Sequence, residues 1–469
     1  MLNKISKNLS MSLALIGFFS AQSQTTVSKR QPGISVDYMD KTTSPANDFY
    51  KFVNGSWLAK TEIPSDKTSW GSFLELRQKT DKDALQILND AIKNPKYNSK
   101  TDQGKAINLY KSIIDTVARN KEGIAPLKSY LAKIDAIKTP RDLQKLLQEM
   151  QPYGGIGFFY VGVGADSKNS NRNIVEVGVG SLGLPDRDYY VSDDKDSKEK
   201  REKYVLHVAK MLQILGKTPI QAALEARKIL DLETEMARPR FDRVERRDDR
   251  KSYNPMTVGD LQKIANNINW TEYLKAIGLP KVDSLNVSQP RYFAALNALF
   301  APSKMEDCKA YMRWTLLNRS ANKLSTQVEK ANFEFYGKTL TGALKQRPLD
   351  EKALQVVNGN VGEALGKLYV EEKFPAAAKM KAEKMIQNVI KAYANRINNL
   401  TWMGNETKIK AIDKLNKLTI KIGYPDKWKD YSQLTIKSPA ENGSYFLNTM
   451  ALNKWGYEEE IQKLAKPVD

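Results

Sequence analysis

Met385, Val389, Tyr393, Ile397 and Leu400 recur at three- and four-residue spacing, and after a break at Gly404-Asn405 the pattern returns in Ile409, Ile412, Leu415 and Leu418. That spacing puts each set on one face of a helix. Two apolar stripes joined by a short turn must pack on each other or on a shared core. The block Val357 to Tyr431 therefore predicts paired helices, and the rest of the chain has to supply what they lean on. Upstream, Thr80 with Asp83, Thr139-Pro140 with Asp142, Thr218-Pro219 with Gln221, and Thr257 with Asp260 each resemble the opening of a helix, a threonine cap followed three residues later by a side chain that can reach back.

One region breaks the helical rhythm. Between Gly154 and Val179 the runs GIGFFYVGVG and NIVEVGVG are short, β-rich and separated by the polar Asp166 to Asn173, which predicts a hairpin. The fold class expected is mainly α, a multi-helix lobe with a small β-hairpin insertion. Tyr204 to Leu215 reads as a helix ended by Gly216. Phe241 to Tyr253 reads as a solvated or ion-paired linker, and Met450 to Leu464 as a last amphipathic run. Near the start, Asp48 to Trp57 is densely aromatic, with a turn signal at Asn54-Gly55; such a segment is expected to anchor on a larger body.

Lys4 and Lys7 precede the apolar run Met11 to Ala21 and the small-x-small Ala21-Gln22-Ser23. This is the grammar of a signal peptide over residues 1–23, too short for a spanning helix, with a flexible lead-in over 24–36. The expected location is periplasmic or extracellular, with no stable membrane span. Cys308 is the sole cysteine, so an exported chain of this kind has no internal disulfide and rests on its core. The net charge of +20 favours loose association with anionic surfaces. The lysines are spread along helix faces without a zinc-finger, RNP-type or helix-turn-helix signature, so nucleic acid is not an expected partner.

Local motifs for chemistry fail on inspection. Gly178-Val-Gly180-Ser-Leu-Gly183 has the G-x-G-x-x-G spacing, but Leu184-Pro185-Asp186 follows and no helix begins there to meet a pyrophosphate. His207 is the only histidine, which excludes H-E-x-x-H and any multi-histidine metal site within these residues. Ser320-Ala-Asn-Lys323 matches S-x-x-K as a lysine-rich chain will by chance, and Glu233 and Glu235 lie two apart on a helix and face different ways. No catalytic residue and no metal ligand is assigned.

Six landmarks in order carry a resemblance: Asp48-Phe-Tyr-Lys-Phe-Val-Asn-Gly-Ser-Trp57, Gly183-Leu-Pro-Asp-Arg-Asp-Tyr-Tyr190, Arg243-Val-Glu-Arg-Arg247, Asn332-Phe-Glu-Phe-Tyr-Gly337, Val357-Asn-Gly to Gly366-Lys-Leu-Tyr369, and Ile422-Gly-Tyr-Pro-Asp-Lys-Trp428. With them the chain resembles the N-terminal half of the neprilysin family of zinc metallopeptidases. The resemblance implies a helical cap lobe over about residues 80–418 that admits peptides to a cavity facing a thermolysin-like zinc lobe. It implies that residues 37–79 and 419–469 pack on or cross toward that lobe. In the family the zinc ligands lie beyond the equivalent of Lys466-Pro-Val-Asp469, so the chain is expected to stop short of the zinc site, to hold no cofactor itself although zinc serves a full-length member, and to be inactive alone. A downstream or separate zinc lobe would then be a partner. By the same resemblance Arg77 matches an arginine that reaches the carboxyl-terminal side of a bound peptide, while the companion position reads Ser69. The alternatives are a stand-alone extracytoplasmic peptide- or protein-binding module and one half of a split peptidase.

Overall fold

The computed structural model describes residues 34–468 and divides into two compact units, one ending at Glu62 and one beginning at Ile63. The expected signal peptide and most of the lead-in lie outside the described residues. In the smaller unit the aromatic run is itself a helix, Phe49–Lys60, capped by the Asp48 carboxylate accepting from Lys51 N–H at 2.8 Å. The expected turn at Asn54-Gly55 does not occur. Asn54 donates instead to Tyr50 O within the helix, and a Cβ on Gly55 would sit 2.6 Å from Asp40 Cβ, so the glycine serves a close approach rather than a bend.

The larger unit is mainly helical, as expected. Three of the four threonine starts are caps: Thr139 and Thr218 close full capping boxes on the helices Pro140–Met150 and Pro219–Ala237, and Thr257 opens Val258–Ile264. Thr80 is not a cap. It lies inside the long helix Ser72–Ile92, with its hydroxyl donating to Leu76 O, because the helical pattern continues unbroken through it. The charged stretch before Tyr204 is also helical, from Lys195 to Ile214, with Gly216 at φ +92° just past its end. The linker Phe241 to Tyr253 is ion-paired: Arg243 and Arg246 reach Asp186, and Arg291 reaches Glu245 at 2.6 Å.

The hairpin is present and is half of a larger sheet. Strands β1 (Phe159–Asp166) and β2 (Asn169–Val179) pair antiparallel, and most of the stretch expected as a loop is strand. Strands β3 (Pro255–Met256) and β4 (Leu285–Val287), too short to leave a period in the sequence, complete the order β1-β2-β4-β3, with β2 and β4 parallel.

Two apolar cores form. The larger gathers the sheet and the helices from about residue 127 to 335, including Phe159 against Trp270 and Tyr273 with ring centroids 5.1 Å apart. The smaller packs Ser72–Ile92 and the helix Asp102–Ile114 on the helix Leu349–Lys373, which kinks at Val361. The last long helix, Tyr445–Gln462, gives Phe446 and Tyr457 to the first core and Tyr445, Leu452 and Trp455 to the second. It is buried on two faces because it runs between them. The paired helices of the opening motif, Ala376–Asn398 and Asn405–Asn416, touch one another, yet Met385 and Ile409 remain 61% and 71% exposed. Two helices alone cannot cover both stripes. Among the described residues no helix is long and apolar enough to cross a membrane.

Candidate functional site

The principal cavity of the larger unit has a volume of about 710 Å³. Its position follows from three local features. Leu344 and Lys345 N–H both donate to Ser65 O at 3.0 Å, tying residues 63–69 beside the loop before the helix Leu349–Lys373. A π-helical turn, Glu334–Thr339, swings Tyr336 and Gly337 to the wall. Tyr336 is fixed there by donating to Gly183 O at 2.9 Å and accepting from Asn318 at 2.8 Å.

A buried ionic network forms the remaining walls. Arg119 is 2% exposed; its guanidinium donates to Leu324 O, Asn322 O and Ile113 O and pairs with Glu329 at 2.8 Å. Lys352 reaches the other oxygen of Glu329 and also Gln346 Oε1. Lys67 pairs with Asp66 at 2.5 Å and with Glu351 at 3.4 Å. Lys345 and the half-buried Arg347 line the cavity and have no ion pair among the described residues. With Leu74, Phe333 and Val356 also in its lining, the cavity suits a ligand that carries both an apolar group and an anionic one.

Arg77 is elsewhere: on the helix Ser72–Ile92, 60% exposed at its side chain and 3.3 Å from Asp81. It is not among the cavity residues, whereas Ser69 is. The cavity's own charged residues left no sign in the sequence. Arg119 and Glu329 are 210 positions apart, and nothing local distinguishes them from surface charges.

The residues set aside as motifs are packed. Gly180 and Gly183 lie in a turn after β2, and a Cβ on Gly183 would fall 1.7 Å from the Tyr204 hydroxyl. His207 stacks on Phe335 with centroids 4.8 Å apart, and burial lowers its pKa to about 3, so it is neutral and enclosed. Burial pushes the Cys308 thiol up to about 12, which leaves it protonated and a poor nucleophile. Ser320 and Lys323 share no hydrogen bond; the lysine donates to Arg319 O. Glu235 pairs with Lys304 at the surface while Glu233 is buried in a tyrosine cluster, so the two acids do face apart. Among the described residues no three His, Cys, Asp or Glu side chains are grouped to hold a metal.

Comparison with known proteins agrees with this architecture. A model of peptidase family M13 matches residues 45–425. Human neprilysin is 28% identical over 472 residues, covering 92% of this chain and 62% of that protein. The neutral endopeptidase of Lactobacillus helveticus is 30% identical, covering 92% of this chain and 66% of its own length. Among solved structures, the zinc metalloprotease ZMP1 of Mycobacterium tuberculosis, in complex with an inhibitor, superposes with a TM-score of 0.86 at 33% identity, covering 93% of this chain and 65% of that one. The chain thus spans about 62% of the length of curated relatives such as neprilysin.

Proposed function

Because the chain belongs to peptidase family M13, the neprilysin-type zinc metallopeptidases, we propose that it supplies the helical, substrate-admitting part of an exported peptidase that hydrolyses peptides. The observation that carries this reading is the cavity of about 710 Å³, with apolar side chains and the cations Lys345 and Arg347 in its lining, inside a fold shared with solved zinc proteases. The exposed stripes of the helices Ala376–Asn398 and Asn405–Asn416 support it too, since apolar faces of that kind ordinarily pack on further protein.

Zinc does not fit the residues described. His207 is enclosed by aromatic rings, Cys308 is buried beside Leu299 O, and among the described residues no three His, Cys, Asp or Glu side chains are grouped as a ligand set. The metal of the proposed enzyme is therefore assigned to residues other than 34–468, and no step of hydrolysis is derived through it. Arg77 is proposed as a contact for a peptide carboxylate, for which a guanidinium supplies a bidentate match.

The test is to incubate the purified 469-residue chain, metal-replete, with a quenched peptide library. No cleavage is expected; cleavage abolished by a chelator would refute the assignment of zinc to residues outside those described. Peptide binding by the same chain, followed by fluorescence anisotropy, should weaken about tenfold in Arg77→Ala if the guanidinium holds the carboxylate, as expected for loss of one charge-assisted pair. An unchanged affinity would return Arg77 to its surface pair with Asp81.

A further inference from the structure

We propose that the larger unit carries a second binding site, for a small oxyanion such as phosphate or a short dicarboxylate, with Arg319 and Lys323 as its cations. The site is a separate cavity of about 350 Å³. It is bounded by the turn Gln151–Tyr153 and Gly155, by the end of the helix Met305–Ser320, by Asn360 one residue before the kink at Val361, and by Thr449 and Asn453 of the helix Tyr445–Gln462.

Its charge is one-sided. Two cations line it and no carboxylate does, whereas the larger cavity mixes its cations with Asp66 and Glu329. Among the described residues neither Arg319 nor Lys323 forms an ion pair. The guanidinium of Arg319 donates to Gly155 O, and the ammonium of Lys323 donates to Arg319 O. An arginine head has five N–H donors and a lysine head three, so most of the donors at this spot are unspent. Like charges four residues apart repel, and the carbonyl end of a helix offsets that in part. Here the offset comes from the helix end, where Lys323 donates to Arg319 O, and no carboxylate lines the cavity, which is the observation that points to an anion from solution.

Two further features fit. Gly154, at φ +98°, takes a backbone conformation that side chains rarely adopt, and the turn it forms presents the Gly155 carbonyl to Arg319. Lys323 is half-buried and Arg319 is exposed, with neighbouring protein displacing part of the water around each. Desolvation lowers the pKa of Arg319, and, with the charge of Arg319, that of Lys323 to about 8. A bound anion would reverse that penalty. The volume is that of a small-ligand pocket, and the apolar Leu316 and Met450 beside the charges leave room for a short carbon spine between two carboxylates.

The site is independent of the peptidase reading, and its test needs no activity. The melting temperature of the 469-residue chain is measured against inorganic phosphate and, separately, succinate, each compared with sodium chloride at equal ionic strength. One of the two is expected to raise it saturably, as a ligand of the native state must; which one does identifies the anion. Lys323→Gln and Arg319→Gln should each weaken the effect about tenfold, in line with loss of a charge-assisted hydrogen bond. Lys345→Gln, at the larger cavity, should leave it unchanged. A response no larger than that of chloride, or one weakened equally by all three substitutions, would overturn the proposal. A readout on the unaltered chain guards against misfolded variants: after reductive ¹³C-methylation of its lysines, the resonance with the lowest midpoint should move to higher pH on adding the anion. If no lysine midpoint moves, the site is absent.

Discussion

Arg119→Met is expected to destabilise the larger unit by about 4 kcal/mol, the cost typical of removing one partner from a buried ion pair. The side chain is 2% exposed and serves three backbone carbonyls as well as Glu329. Two of those carbonyls, on Asn322 and Leu324, belong to the turn that joins the helices Met305–Ser320 and Thr326–Phe333. Methionine fills much of the same volume but donates to none of them, so buried acceptors lose their partners while Glu329 keeps only Lys352. Arg119→Lys should recover little, because one ammonium cannot span acceptors laid out for a planar fork. Urea unfolding followed by circular dichroism measures both. A loss under 1 kcal/mol for Arg119→Met would mean that the network is solvated and that the cavity wall it builds is loose.

Glu233→Leu is expected to cost a similar amount, about 4 kcal/mol, from three stranded donors. The carboxylate sits at the end of two one-way chains. Trp314 Nε1–H donates to Tyr204 Oη at 2.7 Å, and Tyr204 donates to Glu233 at 2.8 Å. Leu184 N–H donates to Tyr190 Oη at 2.7 Å, and Tyr190 donates to Glu233 at 2.8 Å, while Gly183 N–H reaches the second oxygen at 3.1 Å. Burial nonetheless dominates and raises the Glu233 pKa to about 7, with the three donors holding it back. A carboxyl whose folded pKa lies above its ordinary value binds more protons folded than unfolded between the two. Its contribution is therefore fully present below about pH 4.5 and is lost as pH rises through about 7, on the order of 3 kcal/mol in all. Stability measured from pH 4.5 to 8 should fall over that window in the wild type, and Glu233→Gln, which cannot titrate, should flatten that part of the slope. An identical slope in the variant would show that Glu233 is ionised throughout.

These two clusters mark where local reading of the chain ends. Helices opened by Thr139, Thr218 and Thr257 were legible because a cap acts across three residues, and its chemistry is written in that interval. The hairpin was legible because two β-rich runs on either side of a polar stretch are also a local signal. Thr80 misled for the converse reason: the same three-residue pattern occurs inside a helix that had already begun at Ser72. The family was legible from six short landmarks. The exposure of Met385 and Ile409 was not, since a helical period says which residues share a face but not whether anything covers it.

The amino-acid sequence by itself determined the helical class, the hairpin, the family, and the want of a histidine-rich metal site, because each depends on residue types and short spacings. Only the tertiary structure decided that Glu233 is buried among tyrosines while Glu235 is not, and that Arg119 meets Glu329 across 210 positions. The same holds for Arg319 and Lys323, which share a cavity with no acid in it. Burial and the absence of a counter-charge arise from contacts between segments far apart in the chain, and those contacts set the energy of a charge.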